Sequence, residues 1–504
     1  MKRILISSIA GLLFTSISAQ NLVVNGDLEG SEFGCFIVKE HADNNKGSRR
    51  PPRIQSDKSS NHFIVLTTCD NPSHDYDSQL FITFPEPLPI GHNVSVSMKI
   101  RADRNQESRM ELQSTPGGYL DNVSKKINFS TEWTTYNNTI LVGYENIRTL
   151  ALSLSADKKN NLYFDDIKVE ILPDGGYDKS HTTATEFLLG HGVQTPVLNL
   201  KYKSETFCAY SDNRNKCFVI VVSDAYAPYI DNPILAYSIG ESSWNSTSVD
   251  ADNSIYTILA YYEYQLKYLY RHNEVYKFLL ESIYKPKTDK VGPILGDIRY
   301  NQGYPYNEQY PYDKSDDFGH KSHCAAGCGP VAMAQILSYY HHPVTLKGKR
   351  ALTTKAGKRY RKDLSDYQVC WDGSDDDLAN LMFGCAISIS ADMSAKETSS
   401  SIAAIRDAFS KYWGFSRGCR LMEDYTDYSK LASIYYELES GRPMIVTDNK
   451  HLWVCDGFEN DFLHYNLGWG GSYNGYYRAM IVSSIGGKQM TFKDILIGIE
   501  PRKK

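Results

Sequence analysis

From residue 21 to about 172 the sequence alternates and never shows helical spacing. SQLFITF, NVSVSMKI, RTLALSLSA and NLYFDDIKVEIL are separated by short turn clusters. Period-two alternation puts successive side chains on opposite faces of a strand. A sheet with one apolar face must bury it against a second layer. The stretch 20–172 therefore reads as an all-β sandwich or jelly roll. Helical spacing arrives only later, from about Ser254 to Tyr270, where aromatic and leucine side chains recur as core positions of a helix. A chain of 504 residues with two such regimes is multidomain.

The boundaries follow from composition. LPDGGYDKS (172–180) is a linker, and 181–285 is a mixed α+β segment containing the strands KCFVIVVSD and PILAYSIG. KPKTDKVGP (285–293) is an exposed connector, and 291–504 is a second α+β region. There AIRDAFSKYWGF and YSKLASIYYELESG read as helices, and PMIVTD, HLWVCDGF and YYRAMIV as strands. The basic run KGKRALTTKAGKRYRK (347–362) reads as a solvated loop or hairpin. With 22% charged residues and a net charge of −5, no domain carries the basic footprint of a nucleic-acid binder.

Residues 1–19, MKRILISSIAGLLFTSISA, have two cations, an apolar run and small residues. They read as a secretory signal peptide cleaved near Ala19–Gln20. No other run is long and apolar enough to span a bilayer. The mature protein is expected outside the cell or at its surface. Of the ten cysteines, Cys35–Cys69 and Cys208–Cys217 are plausible disulfides by proximity in sequence.

The chemistry centres on HCAAGCGPVAMAQILSYYHHP (323–343). His320, His323, Cys324 and Cys328 offer four zinc ligands, but not at the usual paired spacing. A Cys324–Cys328 disulfide would close a short loop and stabilise little. The third reading is a nucleophile. Pro330 suits the first turn of a helix that ends before Pro343, with Val331, Met333, Ile336, Leu337 and Tyr340 on its apolar face. Cys328 then sits at the helix start, where free N–H groups and the dipole favour thiolate. Gly327 and Gly329 would leave the sulfur open to a substrate backbone. His451, opening HLWVCDGF, is the candidate base. Asn466 could accept its N–H, and the indole of Trp469 could shield that bond.

CGPVAMAQILSYYHHP, RYNQGYPYN and HLWVCDGFENDFLHYNLGWGG together resemble streptopain and its relatives, secreted papain-like cysteine endopeptidases of bacteria. The resemblance covers about 290–504. It extends to 181–285, where KCFVIVVSD and NPILAYSIG are similar to the family's inhibitory propeptide. It implies Cys328 as nucleophile, His451 as general base and Gln302 as side-chain donor of the oxyanion hole. Asn466 and Trp469 carry over as partners of the histidine. Lys450, where the family commonly has a small residue, and Leu467, where an aromatic is usual, depart from the pattern. NLVVNGDLEG and YFDDIKVEI resemble the end strands of carbohydrate-binding-module jelly rolls.

The resulting expectation is an exported zymogen that hydrolyses protein or peptide substrates without metal or organic cofactor. Its β-domain would be a spacer or would hold glycan. The alternative is a catalytically silent papain-like scaffold that binds glycan or a host surface.

Overall fold

The computed structural model describes residues 21–40, 48–118, 124–172, 179–244, 249–278, 284–314, 321–343, 348–353, 359–363, 369–371, 374–395, 397–423, 428–448, 450–479 and 494–503. The expected signal peptide lies outside them. The chain divides into two compact units, 1–176 and 177–504.

The first unit is two antiparallel sheets, of six and five strands. The alternating segments supply the strands Gln79–Thr83, Asn93–Ala102, Thr149–Ser153 and Asn161–Ile171. Leu80, Ile82, Met110, Leu112, Leu150 and Leu152 of one sheet and Ile64, Leu66, Val96, Met98, Leu162 and Phe164 of the other are all buried. Phe129 meets Phe164 edge-on across the two layers, ring centroids 5.7 Å apart. Burial of both apolar faces against each other is what holds such a sandwich.

The second unit is built on one antiparallel sheet of eleven strands. Its order runs Asn199–Lys203, Phe207–Asp212, Cys217–Val222, Ile234–Ser238, Gly475–Arg478, Phe462–Asn466, Leu452–Glu459, Met444–Thr447, Asp494–Ile497, Arg420–Glu423, with Lys290–Val291 added alongside Leu452–Glu459. The expected propeptide-like segment and the C-terminal region thus share a sheet, joined at Ala236↔Tyr477 and Tyr237↔Tyr476. Helices α1 (Ser180–Gly190) and α2 (Val249–His272) belong to the earlier segment, and α3 (Cys328–Tyr340) to the later one. The basic run forms a two-stranded ladder of Lys349–Thr353 with Arg359–Asp363. Among the described residues, no helix is long and apolar enough to cross a membrane.

Two expectations need correction. All ten cysteines are free thiols. Cys208 and Cys217 lie on neighbouring strands, but Cys208 pairs with Val221 and Cys217 with Asp212. That offset of four positions is about 13 Å along the strand, well beyond disulfide reach. Helix α3 is not one-sided either. Every residue from Gly329 to Ser338 is buried, so it is a central helix rather than a surface one.

Candidate active site

Helix α3 begins at Cys328, with Gly327 as its N-cap at φ 89°. A Cβ on Gly327 would lie 2.6 Å from the Thr398 carbonyl oxygen, and one on Gly329 would lie 2.1 Å from Ser400 Oγ. The two glycines therefore admit the 398–400 segment against the helix start, a task beside the substrate access expected of them. Cys328 between them is half-buried.

His451 is brought to this sulfur by a tight turn. Asp448 Oδ1 accepts the N–H groups of Lys450 and His451, each at 2.8 Å, and Thr447 Oγ1 donates to the His451 carbonyl at 2.8 Å. Strand Leu452–Glu459 then runs alongside α3. Cys328 and His451 are close enough for each to shift the titration of the other. His451 Nε2 lies 2.8 Å from the Leu467 carbonyl oxygen. A carbonyl only accepts, so Nε2 carries the proton and Nδ1 is left to face the thiol.

Burial works against charge on both groups, but their mutual contact outweighs it. The Cys328 thiol is drawn below its ordinary range by the hydrogen bond and charge of His451, aided by the N–H groups of Leu452 and Gly329. The imidazole is raised by Cys328, then by the Leu467 carbonyl and the Asp448 carboxylate. Opposite shifts of this kind favour the thiolate on one side and the imidazolium on the other. Two indoles lie nearly parallel to the imidazole: Trp469 at 5.5 Å and 13°, Trp453 at 6.0 Å and 17°. They keep water from the ring; His451 is 8% exposed.

Residues 300–477 match the peptidase C10 family. Streptopain of Streptococcus pyogenes is 25% identical over 325 residues, covering 56% of this chain and 78% of streptopain. This unit is a streptopain-like cysteine peptidase. A prointerpain A fragment from Prevotella intermedia superposes with TM-score 0.52 at 19% identity, covering 61% of this chain and 99% of the fragment, which agrees with the papain-like fold. A CBM4 structure matches 30% of this chain and 99% of its own at 15% identity, with TM-score 0.24.

In this peptidase Trp469 stands on the imidazole, and its indole N–H also donates to Ser254 Oγ of α2 at 3.2 Å. Gln302 lies beside the segment leading into α3, its carbonyl accepting the Ala326 N–H at 2.9 Å. Its half-buried side-chain amide makes no hydrogen bond among the described residues.

Asn466 does not take the imidazole N–H. Its Nδ2 donates to the Ile298 carbonyl at 2.8 Å and its Oδ1 accepts the Gly468 N–H at 3.3 Å. The peptide between Leu467 and Gly468 stands in between, N–H on Asn466 and C=O on His451. Leu467, noted only as a departure, thus supplies the orienting acceptor.

Trp453 and Asp448 were also missed. Trp453 is two residues beyond His451 at a strand start, and alternation there was the available signal. The zinc arrangement gains nothing: His323 Nδ1 is 2.6 Å from the Tyr310 carbonyl oxygen, and Cys324 is buried beside it in sequence. His320 lies outside the described residues, and among those described no cluster of three or more metal-binding side chains occurs.

Proposed function

We infer that the chain is an exported zymogen of a cysteine endopeptidase, with Cys328 as nucleophile and His451 as base and acid. The contact between these two side chains, with Nε2 held on the Leu467 carbonyl, carries the reading. The thiolate adds to the peptide carbonyl carbon, and the electron pair moves to oxygen. The Cys328 N–H and the Gln302 amide donate to that oxyanion. The C–N bond then breaks as imidazolium delivers its proton to the leaving amine. Water, deprotonated by the imidazole, attacks the thioester and returns the thiol. Trp469 shields the imidazole, and Asn466 acts one peptide removed, by fixing the 467–468 peptide plane.

Segment 181–285 serves as the inhibitory propeptide in this reading. The Trp469–Ser254 contact supports it, because α2 then covers the indole of the site. Activation cleavage falls within about residues 285–295, in the exposed connector. The chain there is tied at separate points: Lys287 N–H reaches the Glu439 carboxylate, the Asp289 carbonyl accepts the Asn460 N–H at 2.8 Å, Lys290 and Val291 pair with Glu459 and Phe458, and Ile294 N–H donates to the Asp456 carbonyl at 2.7 Å. Lys287, Thr288 and Asp289 are exposed.

N-terminal sequencing of secreted wild type beside Cys328→Ala tests the assignment. The alanine variant should stay full length, and Cys324→Ser should still be processed. Processing blocked by Cys324→Ser alone would mean the wrong thiol. A thiol-reactive peptide epoxide should label Cys328 stoichiometrically in the processed form. No labelling, together with retained glycan binding, would favour the silent scaffold. The glycan component of the reading rests on the first unit, where Trp133, 40% exposed, clusters with Phe63 and Tyr163 at ring distances of 5.8 and 6.4 Å.

A further inference from the structure

The loop after strand Phe462–Asn466 carries both groups that hold the imidazole: the Leu467 carbonyl at its start and the Trp469 indole in its middle. What keeps that loop shut is the side chain at its other end. Asn474 is fully buried, at 0% exposure. Its Oδ1 accepts the Leu467 N–H at 3.0 Å, across seven residues of loop. Its Nδ2 faces the Glu241 carboxylate of the propeptide-like segment, Nδ2 to Oε1 3.4 Å. An N–H on one side and a carboxylate on the other leave the amide one orientation. Leu467 is thereby gripped at both polar groups, N–H by Asn474 and C=O by His451.

We propose that Asn474 is a positioning residue for His451, clipping the loop so that the Leu467 carbonyl and the Trp469 ring meet the imidazole. The inference rests on the Cys328–His451 reading. Without the clip, Leu467 N–H is a buried donor with no acceptor, and the loop must move to satisfy it. Any such movement takes the carbonyl off Nε2–H. The imidazolium is then less favoured, and with it the thiolate. The charged and titratable groups around this chain of contacts are Cys328 on α3, Asp448 in the turn before His451, and Glu241, His464, Asp456 and Arg299 behind Asn474.

The test is the pH dependence of Cys328 alkylation by iodoacetamide in the full-length chain, read at that cysteine by peptide mass spectrometry. Wild type should react well below the range of an ordinary thiol. In Asn474→Ala the onset should rise by about one pH unit, with kcat on a peptide substrate down ~10-fold and KM changed less than about twofold. Asn474→Asp combined with Glu241→Gln exchanges amide and carboxylate, keeps an oxygen for the Leu467 N–H with a donor facing it, and should return the onset to the wild-type value. An unmoved onset in Asn474→Ala, with only a lower melting temperature, would overturn the positioning role. If the alanine variant does not fold, an onset in the exchanged pair raised by a full unit overturns it equally. An ordinary-thiol onset in wild type would instead sink the Cys–His reading itself, so the two failures are distinguishable.

Discussion

Glu241→Gln removes one charge and almost no volume from a buried cluster between the propeptide-like segment and the catalytic region. His464 sits between Asp456 (2.6 Å from Nδ1) and Glu241 (2.9 Å from Nε2), and is 1% exposed. Burial alone would lower its pKa; the charge and hydrogen bond of Asp456, then those of Glu241, push it from 6.5 up to about 10. At 1.36 kcal/mol per pH unit the net rise, after the burial penalty, is about 5 kcal/mol. Asp456 is the larger contributor, and for Glu241 we take the low end of what buried charge pairs contribute, roughly 2 kcal/mol.

The sign follows from linkage. A raised His464 stabilises fully below 6.5 and stops doing so as pH climbs through about 10. Burial raises Glu241, but His464 and Arg299 outweigh it and leave it lowered, so its contribution holds above 4.5 and fails only in stronger acid. Both are in force near pH 6.5. Hydrogen exchange on the full chain carrying Cys328→Ala, which blocks processing, reads the effect. At pH 6.5, Glu241→Gln should cost the amides of Ile234–Ser238 about 30-fold in protection. The first unit should be unaffected, and the gap should narrow as pH rises toward 10. Unchanged protection, or a gap that widens with pH, would refute the reasoning.

Two further outcomes are expected. Gly329→Ala should lower stability by about 1–3 kcal/mol, because its Cβ falls 2.1 Å from Ser400 Oγ; thermal unfolding measures this, and Ser400→Ala in the same chain should recover part of it. Trp133→Ala should abolish retention on an insoluble polysaccharide without shifting the unfolding of the sandwich, since the ring is exposed. Retention equal to wild type would remove glycan binding from that face.

The strands of the first unit were readable because period-two alternation with polar turns leaves a sheet little choice of face. Helix α3 was readable for another reason: Pro330 and Pro343 bracket it, and Cys328 had to fall at its start. The site was legible where a side chain acts in person, as for Cys328 and His451. It was illegible where the backbone acts. Nothing in the letter at 467 announces that its carbonyl will hold an imidazole, and so Asn466, a side chain of the right chemistry one residue away, took the part on paper. Nor does sequence reveal Glu241 beside His464, because sheet pairing across 223 residues decides it. The glycines flanking Cys328 were noticed for access to the sulfur, and not for the close approach of residues 398–400. Their neighbour was another part of the same chain.

Among the described residues, the seam between the propeptide-like strands and the rest of the great sheet is two residue pairs long, Ala236↔Tyr477 and Tyr237↔Tyr476. Once the connector is cut, parting these halves breaks a ladder shorter than most hairpins, leaving polar clusters on either side to govern the tempo. It also bares the backbone of Gly475–Arg478 as a raw margin, and Arg478 loses its bond to Asp231. If the segment is released as proposed, the freed margin must be kept from zipping onto another chain, and one hazard, premature cleavage, gives way to another, adhesion between neighbours.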